Sequence, residues 1–310
     1  MAAHSGPDFG RGLASAMDVR DATEPFVTFA GGERRPALGL GTCRFGEAPA
    51  QRVAEIAALR TALEIGWRVV DTAEMYGEGG AEEVIGAAIA GALAAGTCTR
   101  EALFVVSKVY PRHASRRGVV DACARSRRRL GLDTIDLYLL HWRGTEPLAE
   151  TVAGFEELQR RGWIRHWGVS NFDVADLEEL FAVPGGARCA ANQVYHSASQ
   201  RGVEFDLLPW MRARAMPLLA HSPLDEGALV GARAPAVLRE IAARHGATPA
   251  QVALAALLAR PGVMPIPKAG REAHLRDNFG ATALRLAPED LAALDLAFPP
   301  PLAKQPLALT

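Results

Sequence analysis

A chain of 310 residues, 49% of them hydrophobic, can bury a large core and falls within the size of one α/β barrel. Its 34 basic and 35 acidic side chains leave a net charge of −1, which gives no general electrostatic case for nucleic acid or an anionic membrane. Cys43, Cys98, Cys123 and Cys189 are scattered without a C-x-x-C pair, which excludes a zinc cluster or disulfide framework and fits a reducing, cytoplasmic compartment.

Residues 1–24 mix Gly, Ser, Asp, Arg and Pro without the apolar block of a signal peptide and read as a loose extension. No later apolar run is long enough to span a bilayer. From Phe26 the pattern becomes regular: Phe26–Phe29 alternates, Gly31-Gly32 turns, and a second short strand completes a β-hairpin. Eight short apolar runs follow, at Ala37–Leu40, Arg68–Asp71, Leu103–Lys108, Ile135–His141, His166–Ser170, Ala190–Val194, Met216–Ala220 and Val263–Ile266. Between them lie helical patterns at Val53–Ile65, Ala81–Ala94, Gly118–Leu130, Thr151–Arg161, Val174–Phe181, Phe205–Arg214 and Ala236–His245. Asp173 precedes the fifth as a cap, and Thr248 with Gln251 forms a capping-box signature for Ala250–Leu258. Buried strands alternating with helices require a parallel sheet with helical crossovers, and eight such units favour a closed (β/α)8 TIM barrel over an open sheet. With no linker or low-complexity tract, residues 25–310, the hairpin included, read as a single barrel domain.

In such a barrel the functional side chains stand where strands end. The runs close on Asp71, Lys108, His141, Ser170-Asn171, Asn192-Gln193, His221-Ser222 and Lys268, and a ring of such endings implies a site. Asp71, Tyr76, Lys108 and His141 together suit carbonyl reduction. A phenol is a poor acid at neutral pH, an adjacent ammonium stabilises its phenolate, and a carboxylate keeps that ammonium charged and placed. An imidazole on the next strand can orient the carbonyl oxygen. No side chain supplies a hydride, so a redox cofactor is required. Gly39-x-Gly41 and Gly77-x-Gly79 do not complete G-x-G-x-x-G, Gly168-x-Ser170 is no nucleophile elbow, and the eight histidines contain no H-E-x-x-H; no metal is expected.

Six segments in order resemble the aldo-keto reductases. They are Gly39-Leu40-Gly41-Thr42, Asp71-Thr72-Ala73-x-x-Tyr76-Gly77, Val106-Ser107-Lys108-Val109, Asp136 to Trp142, Gly168-Val169-Ser170-Asn171-Phe172 and Ile266-Pro267-Lys268. His141-Trp142-Arg143-Gly144 and Pro299-Pro300-Pro301 are similar to the family's bacterial methylglyoxal-reductase-like branch. The resemblance implies reduction of small aldehydes, ketones and dicarbonyls with Tyr76 as acid, Lys108 and Asp71 as its tuners and His141 orienting the carbonyl. It implies a nicotinamide cofactor beside Gly41, Thr42 and Asp71, with Ser170, Asn171 and Gln193 on the carboxamide and His221 where many members stack a tyrosine on the nicotinamide. Ser222 and Leu224 match the pyrophosphate loop, Lys268 reaches a phosphate or ribose, and Asp277 and Asn278 contact adenine. Ala269 and His274 replace a serine and an arginine common near the 2′-phosphate. A neutral histidine is a weaker phosphate partner than a guanidinium, so NADPH is expected with NADH possible, Arg271 or Arg276 compensating. Cys43, Tyr110, Trp142 and Phe172 are expected to wall the substrate pocket, and a monomer is expected. Two other readings stand beside this one: a lyase using a Schiff base on Lys108, and a cofactor-binding regulatory subunit with little turnover.

Overall fold

The computed structural model describes residues 24–309, so the leading extension lies, but for Glu24, outside the described residues. Phe26–Thr28 (β1) pairs antiparallel with Arg34–Pro36 (β2), and the turn uses Gly31 and Gly32 at φ of 80° and 84°, conformations open to glycine. Val27 and Phe29 belong to one buried cluster with Phe104, Val106, Leu137 and Leu139, and the Phe29 and Phe104 rings lie 4.8 Å apart. The hairpin thereby plugs the end of the barrel where the strands begin.

The barrel strands are Gly39–Gly41 (β3), Val69–Asp71 (β4), Phe104–Val109 (β5), Ile135–Leu140 (β6), Ile164–Ser170 (β7), Asn192–Tyr195 (β8), Leu218–His221 (β9) and Val263–Pro265 (β10). They run in sequence order, each parallel to the next. Closure between last and first rests on a bridge from Gly41 to Lys268, with the Gly41 N–H donating to the Pro267 carbonyl at 3.0 Å. The expected (β/α)8 barrel with its hairpin is present. Strand bounds shift by a residue or two, because an apolar run marks burial whereas a strand is defined by its ladder. β3 is the clearest case: Ala37 and Leu38 are buried but lie before the ladder, which extends to Gly41, a residue with no side chain to signal it.

Helices cover the outside: Arg52–Ile65 (α1), Gly80–Ala94 (α2), Arg116–Leu130 (α3), Leu148–Arg160 (α4), Val174–Ala182 (α5), Leu207–Arg212 (α6), Ala236–His245 (α7), Pro249–Leu258 (α8), Glu272–Gly280 (α9) and Pro288–Ala297 (α10). Asp173 caps α5 in a box with Asp176, and Thr248 caps α8 in a box with Gln251, satisfying amides that have no partner inside the helix. α4 begins earlier than periodicity suggests, since Pro147 sets its entry, and α6 is shorter than expected.

Alternation along the strands decides what the barrel mouth presents. Phe104 and Val106 face inward on β5, so Lys108 does too; Leu137 and Leu139 carry the same parity to His141 beyond β6. Val69 leads to Asp71, Ala191 to Gln193 and Tyr195, and Leu219 to His221. Gly168 allows β7 to sit close to its neighbour, since a Cβ there would lie 2.4 Å from the Ala191 carbonyl oxygen. One face of the barrel is thus apolar in its lower layers and chemically equipped at the top.

Candidate functional site

Lys108 is fully buried, and its ammonium donates to Asp71 Oδ1 at 2.6 Å and to the Thr72 carbonyl at 2.9 Å. The other Asp71 oxygen accepts from Gln193 Nε2 at 2.8 Å, so the carboxylate is held from two strands. Tyr76 sits in a short turn, Tyr76–Gly79, and its ring centroid lies 5.1 Å from Lys108 Nζ and 5.9 Å from the His141 ring, edge-on at 80°. The four residues expected to act together are therefore brought together at one mouth.

Burial lowers the Lys108 pKa, but Asp71 and the Tyr76 phenol outweigh it, and the ammonium ends above its ordinary value. Burial pushes the Tyr76 phenol up, and Lys108 pulls it back only in part, so the net direction is upward. That differs from the simple expectation of a lowered phenol: the ammonium offsets desolvation rather than overcoming it. His141 falls well below the usual histidine range through burial and the proximity of Lys108, so it is neutral, and its Nδ1 has no protein partner.

The amide-bearing ends form a connected set. Ser170 Oγ donates to the Gln193 carbonyl at 2.8 Å, while Asn171 Nδ2 donates to the His141 carbonyl at 3.1 Å and to Ser170 Oγ at 3.2 Å. Asn171 holds a φ of 58° and Ser222 one of 48°, left-handed conformations uncommon outside glycine. His221, with Ser222 Oγ and Asn171 Oδ1 each 3.3 Å from a ring nitrogen, is drawn down by burial to about 4 and is also neutral. Lys268 is exposed at the barrel seam beside Gly41, its Nζ 5.2 Å from the Phe45 ring centroid. Leu224 packs against the apolar cluster of α7 and α8.

Of the expected pocket walls, Cys43 is exposed at the rim, and Tyr110 meets Trp142 edge-on at 5.7 Å, with Trp142 in turn 4.9 Å from His141. Phe172 corrects that expectation. It is wholly buried in the cluster between sheet and helices, where a large ring loses more water contact than it could at the rim. Thr42 is also fully buried, with its hydroxyl and amide both donating to the Asp71 carbonyl at 2.8 and 3.1 Å, so its side chain faces the strand and not the mouth. On α9, Asp277 accepts from Thr248 Oγ1 with both oxygens, at 3.0 and 3.1 Å, and Asn278 is buried. Arg271 and His274 lie 2.9 Å apart at the exposed start of α9, whereas Arg276 is paired with Glu272 at 2.8 Å. Of the two compensating arginines, only Arg271 stands beside His274.

Two groups went unread in the sequence. Glu74 accepts from the Tyr110 amide and from His113 Nδ1, each at 2.8 Å, fixing a pocket wall to the segment that carries Tyr76. A charged side cavity of about 270 Å³ lies behind Tyr110 rather than over Tyr76, and its arginines already face carboxylates, Arg129 with Glu82 at 2.5 Å and Arg125 with Glu74 at 3.5 Å. Tyr195 is the second: the two-residue step from Gln193 places it on the inward face, a signal the sequence offered.

Among the described residues no helix is long and apolar enough to cross a membrane. A family model described as the aldo/keto reductase family matches residues 37–297. The chain is 46% identical over 286 residues to the methylglyoxal reductase YeaE of Escherichia coli K12, covering 92% of this chain and 98% of that one. It is 34% identical to the glyoxal reductase of Bacillus subtilis, covering 77% and 81%. Among solved structures, an aldo-keto reductase from Klebsiella pneumoniae in complex with NADPH superposes with a TM-score of 0.86 at 43% identity, covering 93% of this chain and 99% of that one. The strand-end tetrad, the hairpin-plugged barrel and these matches agree, and the chain belongs to the aldo/keto reductase family.

Proposed function

We propose that this protein is an NADPH-dependent carbonyl reductase that converts small aldehydes and dicarbonyls of the methylglyoxal type to alcohols. The observation that carries the reading is the buried Lys108–Asp71 pair set against the Tyr76 ring at the open end of the barrel. The donor set fits a nicotinamide dinucleotide: hydroxyl and amide groups of Ser170, Asn171 and Gln193 suit a carboxamide, the loop around Ser222 and Leu224 would take the pyrophosphate, and exposed Lys268 offers a cation. Lys268, Arg271 and His274 would meet the 2′-phosphate side, and Asp277 and Asn278 the adenine. When bound, the reduced nicotinamide supplies the hydride.

The chain's own part is proton delivery and orientation. Neutral His141 donates a hydrogen bond to the substrate carbonyl oxygen and turns its carbon toward the cofactor side of the mouth. Tyr76 gives its phenolic proton to the developing alkoxide, and Lys108, held charged by Asp71, stabilises the phenolate left behind. Tyr110, Trp142 and Cys43 would wall the substrate side of the mouth, and such largely apolar walls suit short carbonyl substrates. A Schiff-base role for Lys108 fits less well, because such a nucleophile needs a lowered pKa, and this one is raised and fully buried. Four free cysteines, two of them buried, accord with a cytoplasmic enzyme, which we read as a monomer.

Tyr76→Phe tests the reading. Methylglyoxal-dependent NADPH oxidation should fall by about 10²–10⁴-fold, the usual range for losing a general acid, while NADPH binding stays within a few-fold. Lost binding with the same chemistry would make the tyrosine structural, and retained turnover would remove it as the acid.

A further inference from the structure

We infer that Tyr195, fixed by Asp225, is the backing that holds His221 in place, and so is a positioning residue for the nicotinamide wall. This rests on the reading in which His221 flanks the nicotinamide. An imidazole offers less area than a larger aromatic ring and needs support from behind to serve as a wall. The register pairs Tyr195 directly with His221 across β8 and β9, on one face, and the two rings lie 5.5 Å apart at 33°. The two contacts on the His221 nitrogens are long, 3.3 Å each, so ring packing carries much of its placement.

Tyr195 is itself tied down. Its hydroxyl donates to Asp225 Oδ1, and Ser199 Oγ donates to Asp225 Oδ2 at 2.6 Å. Asp225 belongs to the loop that follows His221, and within five residues that loop places Ser222, Asp225 and Glu226 at φ of 48°, 53° and 51°. Non-glycine residues keep such conformations only where their surroundings hold them. Asp225 thus does two things with one carboxylate: it clasps the strained loop to the segment after β8, and it sets the Tyr195 ring behind His221. No family-wide tyrosine at position 221 is needed if a tyrosine one strand away stiffens a histidine.

The test is a double-variant cycle read by NADPH titration, with thermal unfolding of the cofactor-free protein as a second readout. His221→Ala should weaken NADPH by about tenfold, the scale of one ring-stacking contact. Tyr195→Leu should weaken it by about fivefold, Tyr195→Phe, which keeps the ring but loses the tie to Asp225, by no more than Asp225→Ala does, and the His221→Ala/Tyr195→Leu pair should bind no worse than His221→Ala alone. Asp225→Ala, which removes the clasp without opening the core, should weaken NADPH by about threefold only while His221 is present. If His221→Ala leaves affinity unchanged, the wall reading and its backing fall together. If it weakens NADPH but Tyr195→Leu and Asp225→Ala do not, only the backing falls. Full additivity, or effects that track the unfolding temperature alone, would make Tyr195 an ordinary structural residue.

Discussion

Replacing Lys108 by Met removes one charge and keeps most of the volume, which makes it the sharpest probe of the site. The 2.6 Å separation from Asp71 Oδ1 corresponds to about 6 kcal/mol of attraction at an effective dielectric constant of about 20. Desolvation offsets part of this, and deleting one partner of a buried pair typically costs about 3–5 kcal/mol because the other charge is stranded. In Lys108→Met the stranded group is Asp71, left with Gln193 Nε2 at 2.8 Å. Adding Asp71→Asn neutralises that group while sparing the backbone carbonyl that Thr42 uses, so urea unfolding should show most of the lost stability returning. Turnover should not return. Without the ammonium nothing offsets the upward push of burial on the Tyr76 phenol, and methylglyoxal reduction should stay about 10²–10⁴-fold down in both variants. Should the double variant regain rate along with stability, Lys108 would be only a counter-ion for Asp71, and the phenol-tuning argument would be refuted.

His274→Arg should tighten NADPH by several-fold and leave NADH nearly unchanged, because a forked guanidinium beside Arg271 suits a phosphate better than an imidazole does; equal effects on both nucleotides would remove the 2′-phosphate assignment. Acid should weaken the fold through its buried histidines. Burial takes His196 and His221 from 6.5 to about 4, so between those values the unfolded chain binds more protons, and the stabilisation present above 6.5 is lost as pH falls toward 4. Each contributes up to about 1.4 kcal/mol per pH unit, as does His141, which is lowered too, so His196→Gln should reduce the histidine part of the slope of unfolding free energy against pH in that window by about a third. A slope that the substitution leaves unchanged would contradict the assignment.

Much of the fold was legible because burial and periodicity coincide. The inward parity that puts Phe104 and Val106 in the barrel also delivers Lys108 to the mouth, and both can be counted along the chain. The caps at Asp173 and Thr248 were readable for the same reason: their partners lie three residues away. What escaped depends on distance across the fold. Nothing local says that Gln193 turns its amide to Asp71, 122 residues away, or that Glu74 reaches the Tyr110 amide 36 residues on. Phe172 was misplaced because its neighbour Asn171 does belong to the mouth. The left-handed turn at Asn171 separates the two, and backbone sign is not written in a motif.

The barrel is not stitched evenly. Seven strand pairs share ladders, but between β10 and β3 the described closure is a bridge at Gly41 and Lys268 reinforced by one amide. Spreading that seam would therefore break fewer backbone bonds than parting any other neighbours, so the wall yields most readily there. Lys268 on one lip faces Gly41 on the other, at the open end. A bound molecule that grips both lips would act as a clamp on the hoop, and the tightness of its hold and the rigidity of the cylinder would rise together.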